Sequence, residues 1–246
     1  MDQPLTGQLA IVTGGGSGLG EATSQALAAS GATVMVVDVK SDQAGRVARG
    51  IREQGGEAVG LGADVRQWEE VQAVADLAVA DHGRIDVLVN NAGVDHTVSV
   101  DEMTIQQWDD VIDINLRGPF LFCKAVLPVM KRQGRGQIIN VASTAALRAW
   151  GQAAAYHASK WGLIGFTRGL GVEGRPHNVK ASVVVPGGMR TRFFDRFEGT
   201  SIPMPAPDKL QDPRAVADLI VFIATRDNGS VVQEAIMTPL WETSWP

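Results

Sequence analysis

Thr13-Gly14-Gly15-Gly16-Ser17-Gly18-Leu19-Gly20 stands between a short apolar run, Gln8–Thr13, and a helical pattern, Gly18–Ala29. Glycines let a backbone turn sharply and come close to a ligand. The first turn of a helix adds unpaired N–H groups and the positive end of the helix dipole, so a pyrophosphate is well placed there. A glycine-rich stretch carries this meaning only between a strand and a helix, which is where this one lies. Gly14, Ser17, Gly18, Leu19 and Gly20 are therefore the expected phosphate-side contacts of a dinucleotide.

The same strand–helix alternation continues outward. Thr33–Asp38, Ala58–Gly62, Val87–Asn90, Gln137–Ala142 and Lys180–Val185 are compact and nearly all apolar, as strands buried on both faces are. Asp42–Gln54, Gln67–His82, Thr104–Arg132 and Ala153–Gly174 read as helices between them. Glycines stop four of the five helices, at Gly31, Gly55, Gly83 and Gly134. Such alternation predicts an α/β fold, a parallel sheet with helices on both faces. No linker interrupts it, so residues 1–246 are expected to form a single domain. The segment at about 190–212 differs. Phe193, Phe194 and Phe197 precede the proline-rich IPMPAP, a composition that suits a flap over a site. A helix, Arg214–Thr225, and a last strand, Val231–Thr238, complete the reading.

Composition narrows the function classes. Apolar residues are 45% of the chain and charged residues 20%, an ordinary globular mix. A net charge of -5 with no Lys/Arg cluster argues against nucleic acid as a partner. The single cysteine, Cys123, cannot form an internal disulfide. MDQPLTGQLA lacks the basic and apolar regions of a signal peptide, and no apolar run reaches the roughly 18–20 residues that span a bilayer. A cytoplasmic protein with no membrane partner and no metal site is expected.

A second motif supplies chemistry. Tyr156 and Lys160 are four residues apart in a helical pattern, about one turn, so both lie on one face. A phenol ionises near pH ~10, and a nearby ammonium lowers that value. Tyr156 is thus a candidate general acid or base. Helices produce this spacing by chance, so its meaning depends on the rest of the chain.

Two features decide that meaning. Gly14, Gly18 and Gly20 are spaced GxxxGxG, unlike the more familiar GxGxxG, and Tyr156-His157-Ala158-Ser159-Lys160 is a YxxxK motif. In both the chain resembles the short-chain dehydrogenase/reductase family, with its TGxxxGxG fingerprint, over nearly the whole sequence. The resemblance implies a doubly wound, Rossmann-like sheet and a nicotinamide dinucleotide. Asp38, at the end of the second strand, would accept hydrogen bonds from the adenosine ribose hydroxyls and repel a 2′-phosphate, which favours NAD over NADP. Asp64 and Val65 match the family's adenine contacts, and Asn91, Ala92 and Gly93 match its NNAG segment. Pro186, Gly187 and Thr191 match the PGxxxT that meets the nicotinamide carboxamide. By the same resemblance Ser143 would orient the substrate oxygen and Tyr156 would act as acid or base. Lys160 would lower the pKa of Tyr156 and hold the nicotinamide ribose, while Asn115 would hold a water for proton relay.

Candidate substrate-pocket residues are His96, Ala145, Trp150, Met189, Phe193 and Phe194, mostly apolar. They favour a neutral, fairly hydrophobic small molecule, a ketone or secondary alcohol. His157, one residue past Tyr156, points elsewhere on the helix and receives no role. The family's glycine-rich ending is replaced by VVQEAIMTPLWETSWP, which alters what is expected of the subunit interface. A homo-oligomer, tetramer or dimer, is still implied. Two alternatives stand beside the NAD-dependent alcohol dehydrogenase or carbonyl reductase: an NADPH-dependent 3-oxoacyl thioester reductase, and a non-catalytic nucleotide-binding regulator.

Overall fold

A computed structural model describes residues 3–197 and 206–242 of the chain, with the side chains of Phe194, Arg196 and Phe197 outside the description. Seven strands form one sheet: β1 (Leu9–Thr13), β2 (Thr33–Asp38), β3 (Glu57–Gly62), β4 (Val87–Asn90), β5 (Gly136–Val141), β6 (Val179–Pro186) and β7 (Glu234–Met237). Their order is β3-β2-β1-β4-β5-β6-β7, and every pairing is parallel. The helices are α1 (Gly18–Ala29), α2 (Ser41–Glu53), α3 (Trp68–His82), α4 (Ile105–Ile112), α5 (Gly118–Gln133), α6 (Ala154–Gly174) and α7 (Pro213–Ala224).

Strand periodicity builds two cores from one sheet. Successive strand residues face opposite sides. Ala10 and Val12 of β1 therefore join Val34 and Val36 against α1, α2 and α7, while Leu9 and Ile11 join Met35 and Val37 against α3, α5 and α6. All five residues of β1 are buried, which explains why the central run is apolar without alternation. The doubly wound α/β architecture is as expected. Chain direction across the sheet reverses between β1 and β4, and such switch points open a crevice at the carboxyl ends of the strands.

Three elements differ from expectation. Thr104–Arg132 is not one helix. Thr104 caps α4 in a reciprocal box with Gln107, and a π-helical turn, Asp113–Arg117, separates α4 from α5. The last strand is shorter than expected, because only Glu234–Met237 finds partners on Val183–Pro186. The 190–212 segment holds short 3-10 turns at Arg192–Phe197 and Pro207–Lys209, joined to the body by a bridge between Met189 and Gln211. The rest of that segment, residues 198–205, lies outside the described residues. No described helix is long and apolar enough to cross a membrane.

Candidate active site

The glycine turn is held from behind by the segment after β4. Thr13 Oγ1 accepts the backbone N–H groups of Asn91 (3.0 Å) and Ala92 (3.2 Å). Asn91 Nδ2 donates to the carbonyls of Thr13 (3.0 Å) and Gly14 (3.1 Å). Two glycines are required by contact. At Gly14, with φ of +62°, a Cβ would fall 2.8 Å from Ala92 Cα, and at Gly20 one would fall 2.1 Å from the Gly14 carbonyl oxygen. Gly20 thus packs α1 onto the turn and lies behind the cleft, while Gly14, Ser17, Gly18 and Leu19 line it.

Asp38 faces the same cleft. Its Oδ2 accepts the Gly16 N–H and its Oδ1 the Lys40 N–H, each at 3.0 Å. The carboxylate is oriented by these bonds and keeps further acceptor sites. Asp64 and Val65 line the cleft beyond it. Hydrogen bonds from the Arg66 guanidinium, one of them 2.7 Å long, hold the Asp64 carboxyl below its ordinary range.

At the other end stand Ser143, Tyr156 and Lys160. Ser143 follows β5, and its Oγ accepts the Ala145 N–H at 3.2 Å. Tyr156 is 7% exposed and its ring is 5.7 Å from that of Phe193. The Lys160 ammonium is 5.7 Å from the Tyr156 ring centroid and donates to the Val141 carbonyl at 2.9 Å. Burial pushes its pKa down to about 8. Below that value it carries a positive charge beside the phenol.

Asn115 is fully buried behind the cleft, in the π turn. Its Oδ1 accepts the Val94 N–H and its Nδ2 donates to the Val94 carbonyl, both at 2.8 Å. A Cβ on Gly93 would meet Asn115 Oδ1 at 3.4 Å and Lys160 Nζ at 3.6 Å, so amide and ammonium face one glycine. A buried chain from Asn90 through Asn140 to Thr167, with two bonds of 2.8 Å, ties β4, β5 and α6 beneath the site.

These parts border one cleft of about 1150 Å³, which also takes in Asn91, Ala92, Gly93, Pro186, Gly187, Thr191, Trp150, Met189 and Phe193. Two of the expected pocket residues stand elsewhere. Ala145 is fully buried in the turn after Ser143, and His96 faces Asp110 at 3.9 Å, away from the cleft lining. The Phe194 side chain lies outside the described residues. Arg190, one of the cationic residues near the flap, is 3.5 Å from Asp212.

Two residues in the neighbourhood carried no signal in the sequence. His157 indeed points away from Tyr156, but the chain after Ser143 wraps around to meet it, with Nδ1 2.8 Å from the Ala145 carbonyl oxygen. Glu242 comes from the unusual ending. Its Oε2 accepts the Gly188 N–H at 3.0 Å and it borders the cleft. Neither position follows from local periodicity, because both depend on a distant segment folding back.

The donor set suits a nicotinamide dinucleotide. A glycine cradle that admits no Cβ opens α1 at one end of the cleft, and a phenol and an ammonium share the other. Known proteins agree. Residues 8–200 match the family model described as short chain dehydrogenase. The chain is 36% identical over 229 residues to the D-threitol dehydrogenase of Mycolicibacterium smegmatis, covering 91% of this chain and 88% of that one. It is 38% identical over 223 residues to a 3-oxoacyl-[acyl-carrier-protein] reductase of Synechocystis, covering 90% of each. A metagenomic short-chain oxidoreductase solved in complex with NADP superposes with a TM-score of 0.84 at 34% identity, covering 96% of this chain and 98% of that one. Matched in fold along almost all its length and to the family model over residues 8–200, this chain belongs to the short-chain dehydrogenase/reductase family, oxidoreductases that work with a pyridine nucleotide.

Proposed function

We propose that the chain is a single-domain, NAD-dependent oxidoreductase that interconverts a secondary alcohol and a ketone, with Tyr156 as general acid and base. One observation carries the reading. Tyr156, with the buried ammonium of Lys160 beside it, borders the same cleft as the glycine turn and Asp38. A nicotinamide bound there supplies or takes up a hydride at a carbon bearing oxygen. The residues of the chain manage the proton on that oxygen.

In oxidation the Tyr156 phenolate takes the hydroxyl proton, and in reduction the phenol returns it. The Lys160 charge favours the phenolate, and more so because burial weakens screening around the pair. Ser143 donates its hydroxyl hydrogen to the substrate oxygen while its own Oγ is fixed by the Ala145 N–H. Asn115, bound to both backbone groups of Val94 and to Ser159 Oγ, keeps the chain that borders the cleft in place beside any water relay. Trp150, Met189 and Phe193 give the substrate end apolar walls, which suits a neutral substrate.

The NAD preference rests on Asp38, a carboxylate already oriented toward the glycine turn. A 2′-phosphate placed there would meet like charge. The second reading, an NADPH-dependent 3-oxoacyl thioester reductase, is favoured by the Synechocystis relative and by the NADP complex of the similar structure. Initial rates with NADH and NADPH against a panel of ketones and a 3-oxoacyl thioester separate the two. The proposed function predicts higher kcat/KM with NADH and a simple ketone. Higher kcat/KM with NADPH and the thioester establishes the second reading, and no turnover with any pair leaves the regulator. Phe120 of α5 and Trp161 and Val172 of α6 are 45%, 55% and 64% exposed, an apolar face that supports a homo-oligomer.

A further inference from the structure

His157 is the first residue after Tyr156 on α6. Its ring reaches both ends of the turn that begins at Ser143. Nδ1 is 2.8 Å from the Ala145 carbonyl oxygen, and Nε2 is 3.1 Å from the Trp150 backbone N and 3.3 Å from the Trp150 carbonyl oxygen. The Trp150 and His157 rings meet edge to face, with centroids 4.5 Å apart. The neutral tautomer with its proton on Nδ1 satisfies the two shorter contacts at once: it donates to Ala145 and accepts from Trp150. Ala145 in turn donates its N–H to Ser143 Oγ at 3.2 Å. One side chain therefore links the helix of the tyrosine, the residue that orients the serine, and the tryptophan on the cleft wall.

We propose that His157 is a positioning residue for the substrate. It holds the Ser143–Trp150 turn against α6 so that the serine hydroxyl and the Trp150 wall keep a fixed relation to the Tyr156 phenol. The inference rests on the proposed function, since it assigns Ser143 and Tyr156 to the substrate oxygen. The dinucleotide end of the cleft is built from other elements, so His157 bears on substrate and not on cofactor. A displacement of even ~1 Å between reacting groups is costly, and the two ends of the turn that His157 bridges are sensitive to its loss.

The test compares His157→Phe with His157→Asn. Phenylalanine keeps a ring against Trp150 but removes both hydrogen bonds, and asparagine can restore the donor to Ala145. For His157→Phe the expected result is a rise of about tenfold or more in substrate KM. The dissociation constant for NADH, read by fluorescence, and the melting temperature should stay near the parent's. Trypsin should cut after Arg148, inside the turn, faster than in the parent. His157→Asn should recover most of the KM and the resistance at Arg148. Unchanged KM and unchanged cleavage in the phenylalanine variant overturn the proposal. So does a rise in KM matched by an equal loss of cofactor affinity or by a collapse in melting temperature, which marks a general structural role. If the parent turns over no alcohol or ketone, the proposed function fails. Cleavage after Arg148 then judges the strut: faster cleavage keeps it as a hold on the turn, and equal rates overturn it.

Discussion

Lys160 is 4% exposed, and its ammonium donates a hydrogen bond to the Val141 carbonyl. Burial lowers its pKa from 10.5 to about 8. The folded state therefore binds fewer protons than the unfolded chain between those two values, so stability rises with pH across that window. Below the window the buried charge is a constant penalty, on the order of 3 kcal/mol for a shift of this size. We predict that the unfolding free energy of the parent, without cofactor, rises from pH 8 to pH 10 relative to Lys160→Met, measured by urea titration. Parallel curves for the two proteins contradict this. The Tyr156–Lys160 spacing was legible in the sequence because a helix has a fixed period. The burial that tunes the lysine was not, since it comes from β5 and the segment after β4. The same limit explains Ala145 and His96: sequence proximity to Ser143 and Asn91 placed them near the site, but only side-chain direction decides which residues face the cleft.

At the scale of elements, the break between α4 and α5 shapes the site most. Apolar periodicity from Thr104 to Arg132 reads as one helix, and its two halves are helical. The π turn between them depends on Asn115 turning inward to Val94, a partner 21 residues away, which no local pattern announces. Only the family resemblance pointed to that asparagine. Asn115→Ala would leave the partly buried Val94 N–H and carbonyl without their side-chain partner, a cost of about 1–3 kcal/mol for the two groups. The expected outcome is a lower denaturant midpoint together with a marked loss of kcat, because the same turn supports Lys160 and Gly93. A variant of parent stability argues that the π turn forms without its asparagine. The last strand taught a similar lesson: the β-branched pair Val231-Val232 suggested an earlier start, but parallel pairing with β6 decides where it begins.

Across the whole molecule, stability and chemistry occupy opposite ends of the sheet. Asp86 lies just before β4, 4% exposed, and accepts from the Leu9 N–H (2.9 Å), Arg84 (2.6 Å) and Arg135 (2.8 Å). It pins the entrances of β1 and β4 at the amino ends of the strands, far along the sheet from Ser143. Asp86→Ala leaves a buried N–H and two guanidinium groups without their acceptor. We expect a loss of about 3–5 kcal/mol in unfolding free energy, with kcat/KM unchanged at temperatures where the variant is folded. A fall in kcat/KM at full folding would show that the two ends are coupled. The parallel, doubly wound sheet was legible because buried strands and helices alternate so regularly. The doubly wound arrangement came from the resemblance and not from periodicity, while the strand order and the folding back of Glu242 onto Gly188 were first seen in the structure.

The central claim is that Tyr156 moves the substrate proton while other residues hold the cofactor. Tyr156→Phe tests it most directly, with cofactor binding followed by calorimetry and turnover followed by nicotinamide absorbance. The account predicts that NAD binds with nearly the parent's affinity and that kcat falls by about 10²–10⁴-fold. Turnover within a few-fold of the parent would contradict it.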